Sequence, residues 1–187
     1  STVKIMTCLL ALENTQLTDE VTMTATGVSG VTDGGASISS QVDEVFTVEQ
    51  CLYAIMVASA NDIALQIAEH VGGSVDGFVQ QMNTRAQELG CTNTVFTNPT
   101  GLPDDNQHTT AHDMALIMQA AIQNESFRTI AAATSYTIPA TNKAAARNLT
   151  SKFTMTDTGS TGFYEGCIGG KEGYTEASGS TLVCAAQ

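Results

Sequence analysis

The sequence contains no tryptophan, three prolines and only seven basic residues against nineteen acidic ones. A formal net charge of −12 argues against a nucleic-acid partner. A surface of that sign repels a phosphate backbone, and no basic stripe interrupts it. No apolar run approaches the roughly 20 residues that a membrane span needs. Membrane contact is therefore expected only through segments outside these residues. No signal-peptide pattern is visible. The five cysteines (Cys8, Cys51, Cys91, Cys167 and Cys184) are odd in number and lack C-x-x-C spacing. That pattern points away from a metal cluster or disulfide framework and towards free thiols serving as small core hydrophobes.

What is present suffices for one core: 187 residues, 42% of them hydrophobic. Residues 1–13 read as a helix, with Ile5, Leu9 and Leu12 on one stripe. "EVTMTAT" (20–26) alternates like a strand, and "GVSGVTDGGASISSQVDE" reads as a long loop. Thr47 and Gln50 form a capping box that opens a helix, a second helix runs through "NDIALQIAEHV", and Ser74 caps a third. "TNPTGLPDDNQH" is a turn-rich loop, after which Thr109 or Thr110 caps "AHDMALIMQAAI". "SYTIPA", "GFYEGCIGG" and "GSTLVCAA" read as strands. Helices in the middle and strands at the end give an α+β order. A helical lobe of about 20–135 and C-terminal strands of about 136–187 are expected within a single domain, 1–187.

Three short patterns can carry chemistry. Ser1 and Lys4 are three apart, so on one helix face the amine can serve as base for the hydroxyl, provided its pKa is depressed. The bland alternative is a solvated first turn. Ser59-Ala60-Asn61 places a hydroxyl and a carboxamide where a loop can aim both into a cleft; each could equally be a helix cap. Lys171-Glu172-Gly173 lies in a strand-like stretch. Its glycine allows close backbone approach, and its lysine can attract a carboxylate or simply guard an edge. His108 and His112 are four apart, but the H-E-x-x-H glutamate is missing, so no metal site is assigned to them.

In order, S-x-x-K, S-x-N and K-x-G resemble the motif set of serine penicillin-binding proteins and β-lactamases. "STVKIMTCLLALE", "LYAIMVASANDIALQIAEHVGGS", "FVQQMNTRAQELGCTNTVFTNPTGL", "HTTAHDMALI" and "GGKEGYTEASGSTLVCAA" resemble blocks of one branch, the low-molecular-mass D-alanyl-D-alanine carboxypeptidases. The resemblance implies a β-lactamase/DD-peptidase-like fold, an antiparallel sheet flanked by helices, here truncated at both ends. It implies Ser1 as the acylated nucleophile, Lys4 as its base and Ser59 as proton relay. Asn61, Lys171, Glu172, Gly173 and Tyr174 would bind substrate, with the backbone nitrogens of Ser1 and Tyr174 forming the oxyanion hole. Lys171 would supply positive potential for the substrate's carboxylate and help keep Lys4 neutral.

The implied substrate is a peptidoglycan stem ending in D-Ala-D-Ala, cleaved outside the bacterial cytoplasmic membrane without a cofactor. β-Lactams would be acylating inhibitors. Glu172 departs from the family's usual K-T-G, where a threonine hydroxyl meets the substrate carboxylate. That departure motivates a second reading, a degenerate module that binds penicillin or wall peptide without turnover. A β-lactamase is a weaker reading, because no E-x-x-L-N stretch lies between residues 61 and 171.

Overall fold

A computed structural model describes residues 1–30 and 35–187. Residues 31–34, part of the expected 27–45 loop, lie outside the described residues. The central element is helix α1 (Lys4–Asn14), on which every side chain from Lys4 to Ala11 is buried. A helix apolar on all sides must be surrounded, and α1 packs against α3 (Val48–Val57), α4 (Asn61–Gly72), α5 (Val75–Glu88), α6 (Ala111–Ala121) and α7 (Glu125–Ala132). Lys4 is the charged exception, 1% exposed in the first turn of this buried helix.

Local sequence signals set most helix starts. Thr47 accepts from the Gln50 N–H and Gln50 reaches back to Thr47 N, completing the expected capping box of α3. Ser74 caps α5 through Gly77 N, Thr110 caps α6 through Asp113 N, and Asn124 caps α7 through Phe127 N. Each satisfies backbone donors that a helix start leaves open. No helix among the described residues is long and apolar enough to cross a membrane.

The strands form three antiparallel pairs among the described residues: β1 (Glu20–Thr22) with β2 (Val45–Thr47), β3 (Ser135–Ile138) with β4 (Arg147–Thr150), and β5 (Cys167–Thr175) with β6 (Gly179–Ala186). The strand expected at 20–26 is shorter, because Thr24 turns the chain and caps a short helix, α2 (Ala25–Ser29). Strand β4 carries no strong alternation and escaped the sequence reading. The expected strand at 162–170 begins only at Cys167, after a run of turns.

The cysteines divide. Cys8, Cys51 and Cys91 are buried, as expected, whereas Cys167 is half-buried and Cys184 is exposed. Cys184 sits on the outward side of β6, whose residues alternate between half-buried and exposed.

A buried ion pair ties β4 to the residue just before β2. The Arg147 guanidinium on β4 donates to both oxygens of Glu44 at 2.8 and 3.0 Å, and Glu44 is fully buried. Thr141 Oγ1 and the Gln41 N–H also donate to that carboxylate, and Arg147 lies over the Phe46 ring. A parallel stack of Tyr53 on Tyr136, with centroids 3.8 Å apart, joins α3 to β3. Both contacts brace the segment that leads through α3 to Ser59.

Candidate active site

The site forms where three elements meet: the start of α1, the α3–α4 junction and strand β5. The first turn of α1 is tight, with Lys4 N bonded to Ser1 O at 3.1 Å and Ile5 N to Thr2 O at 3.1 Å, an i→i+3 pattern. Between α3 and α4 the chain reverses through Ser59, which adopts φ +58°, a strained left-handed conformation for a non-glycine residue. That kink brings Ser59 Oγ to 3.3 Å from Ser1 Oγ and starts α4 at Asn61. Asn61 Oδ1 accepts a hydrogen bond from Lys4 Nζ at 2.7 Å.

Strand β5 lies against the other side of Ser1. At Gly173 a Cβ would fall 2.7 Å from Ser1 Cβ, closer than real side chains approach, so only glycine permits this contact. Alternation along β5 buries Lys171 on the same face as Gly173, and leaves Tyr174 exposed. Lys171 Nζ donates to Glu172 O at 2.7 Å and pairs with Glu172 Oε1 at 3.2 Å.

Burial is the first cause, and like-charge repulsion from Lys171 the second, that brings Lys4 down from 10.5 to about 7. Opposing contributions from Cys8, Glu172 and Asp62 do not cancel them. Lys4 donates to Asn61 Oδ1 and Thr100 O, which leaves the lone pair of its neutral amine unengaged by these two acceptors. A neutral amine can serve as general base for a serine hydroxyl. Lys171 is itself lowered by burial, against the raising effect of Glu172. Cys8, beneath Lys4, is pushed up to about 12 by burial and stays a thiol.

Two cavities flank Ser1. One, of about 360 Å³, is lined by Ser1, Ser59, Asn61, Lys152, Glu172 and Tyr174 among others. The other, of about 240 Å³, is lined by Ser1, Gln107, His108 and Tyr174 among others. Tyr174 borders both. The structure thus gathers Ser1, Lys4, Ser59, Asn61, Lys171, Glu172, Gly173 and Tyr174 in one place, and Glu172 faces the cleft rather than solvent alone. His112, 79% exposed at its side chain, stands apart beside Asp113, and His108 lies on the rim with Nδ1 against Asn106 O. No group of three His, Cys, Asp or Glu suited to a metal occurs among the described residues.

Three participants were not singled out in the sequence. Thr100 O, an acceptor for Lys4, is aimed by Asn98, whose Oδ1 accepts from Thr100 N, Thr100 Oγ1 and Gly101 N. "NPTG" signals a turn, but the face its carbonyls present is a tertiary fact. Asp62, fully buried, accepts from Ser37 Oγ, Ser40 N and Ser40 Oγ and so fastens the 37–40 segment beside Asn61. Lys152 joins the cleft wall from the turn after β4.

The site thus consists of a serine and a lysine at the head of a buried helix, closed by a second serine, an asparagine and a lysine-bearing strand. The chain belongs to the D-alanyl-D-alanine carboxypeptidase family, peptidase family S11, which it matches over residues 1–187. It is 34% identical to the D-alanyl-D-alanine carboxypeptidase DacF of Bacillus subtilis over its full length, covering 47% of that protein. It is also 34% identical to DacB2 of Mycobacterium tuberculosis, again over its full length, covering 61%. The chain therefore spans about half to three-fifths of these curated relatives.

Its fold superposes on the crystal structure of a D-alanyl-D-alanine carboxypeptidase from M. tuberculosis H37Rv with a TM-score of 0.87 and 31% identity, covering all of this chain and 67% of that one. Against the Streptomyces K15 DD-transpeptidase the TM-score is 0.89 at 29% identity, covering all of this chain and 74% of that one.

Proposed function

We propose that residues 1–187 form a single catalytic unit that removes the terminal D-alanine from peptidoglycan stem peptides through an acyl-enzyme on Ser1. The observation that carries this reading is Lys4: buried, near-neutral in basicity, and hydrogen-bonded to Asn61 in the same cluster as Ser1 and Ser59. In this scheme Lys4 takes the Ser1 hydroxyl proton, and Oγ attacks the carbonyl carbon of the penultimate D-alanine. The N–H groups of Ser1 and Tyr174 hold the oxyanion; such donors are typically worth about 3 kcal/mol. Ser59 passes the proton to the leaving nitrogen, the C–N bond breaks and D-alanine departs. Water then hydrolyses the ester. Asn61, Glu172, Gly173 and Tyr174 line the peptide, and Lys171 keeps Lys4 neutral. β-Lactams follow the first half of this course and remain on Ser1. The substrate places the enzyme outside the cytoplasmic membrane of a bacterium.

The test is release of D-alanine from diacetyl-Lys-D-Ala-D-Ala by the full-length protein and its loss in Ser1→Ala. Release that survives in Ser1→Ala would contradict the scheme. The Lys171–Glu172 pair favours a second reading, a module that is acylated but does not turn over. That reading predicts a penicillin adduct on Ser1 with no D-alanine released.

Acylation should also follow pH in a defined direction. Only the neutral Lys4 amine accepts a proton, so the rate rises with pH and reaches half its plateau near 7. Lys171→Ala removes a charge that lowers Lys4, so the rising limb should move to higher pH. A limb that stays put or moves to lower pH in the stopped-flow profile counts against Lys4 as the base.

A further inference from the structure

Where the family's K-T-G pattern has a neutral threonine, this chain has Glu172, which sets an anion beside Lys171. Lys171 is 1% exposed at its side chain and pairs with Glu172 at 3.2 Å, so the two charges largely cancel where a substrate carboxylate would arrive. An anionic ligand entering this cavity needs another cation. Among the described residues, one lysine lines the same cavity with no ion pair or hydrogen bond of its own, Lys152.

Its position is built rather than incidental. Ser151 N bonds to Thr134 O at 2.8 Å, and Phe153 N bonds to Ser151 Oγ at 3.1 Å. The Phe153 ring is buried against β5 at Gly170, where a Cβ would fall 2.7 Å from the ring. Residues on both sides of Lys152 are thus anchored, while Lys152 itself is exposed. Lys171 is depressed chiefly by burial, and Lys152 adds to that by like-charge repulsion, so the two cations are within electrostatic reach.

We propose that Lys152 seats the substrate's terminal carboxylate in this protein, taking over the task that Lys171 loses to Glu172. The proposal rests on the serine-acylation reading above and names the carboxylate receptor of that same site. A charge-assisted contact of this kind binds carboxylates selectively over their esters.

The experiment compares acylation rates of the full-length protein by benzylpenicillin and by benzylpenicillin methyl ester, which lacks the charge. Lys152→Met should slow benzylpenicillin about tenfold or more and change the ester less than about twofold. Glu172→Thr frees Lys171, so in that background Lys152→Met should slow benzylpenicillin less than about threefold. Equal losses with both compounds, equal losses in both backgrounds, or no loss at all would overturn the proposal. Failure of the unchanged protein to react with either compound would overturn the serine reading, and the Lys152 assignment with it.

Discussion

Replacing Lys4 with glutamine should reduce acylation by benzylpenicillin at least about a thousandfold, with the fold intact. General-base assistance contributes about 10²–10⁴-fold. The other described side chains of the cluster suit the role less well: Ser59 is a hydroxyl, Asn61 an amide, and Lys171 and the Glu172 carboxylate are engaged with each other. Glutamine keeps most of the side-chain volume and an amide that can still donate to Asn61 Oδ1 and Thr100 O. It also removes a buried amine, so the thermal midpoint should hold or rise. The measurement is the acylation rate alongside a melting curve. A loss below tenfold would assign the base elsewhere; a large loss with an unfolded protein would be a stability effect, and Lys4→Met, isosteric and apolar, would then separate the two.

The largest stability effect is expected at Arg147→Met. The change leaves the Glu44 carboxylate buried without its bidentate partner. Breaking a buried pair from one side typically costs about 3–5 kcal/mol. For a chain of this size that lowers the melting temperature by about 6–20 °C. The sign with pH follows from Glu44. Burial pushes its carboxyl up, but the hydrogen bonds from Arg147, Thr141 and Gln41 N outweigh it and hold it below 4.5. A depressed carboxyl contributes stability that is complete above its unfolded value and is lost as acid titrates it through the lower folded value. The gap between the parent protein and Arg147→Met should therefore narrow as pH falls below 4.5. Calorimetry across that range checks it, and a gap that widens in acid would refute the ion-pair account. Because this pair braces the segment leading to Ser59, the variant should also acylate more slowly near its melting range.

Sequence legibility followed the range of each interaction. The caps at Thr47, Ser74 and Thr110 are local and read directly from residue type. The stripe of Ile5, Leu9 and Leu12 announced a helix, though not that it would be buried from Lys4 to Ala11. Ser1, Lys4, Ser59, Asn61 and Lys171 could be named from three ordered motifs, and the structure places them together. The direction of Glu172 could not: facing the cleft and pairing with Lys171 depends on where β5 docks. Thr100 and Lys152 reach the site from loops whose composition marks turns but not the side they face. Strand β4 is defined by pairing with β3, a non-local fact that a four-residue stretch does not encode alone. Cys184 misled because an apolar run on an outer strand reads the same as one in the core.

The proposed chemistry rests on acylation of the Ser1 hydroxyl. Intact-mass spectrometry of the full-length protein after benzylpenicillin, with peptide mapping of the adduct, tests it most directly. The expected result is an increment of one benzylpenicillin on the peptide carrying Ser1, absent in Ser1→Ala. No increment on the folded protein, or one on a residue other than Ser1, would contradict it.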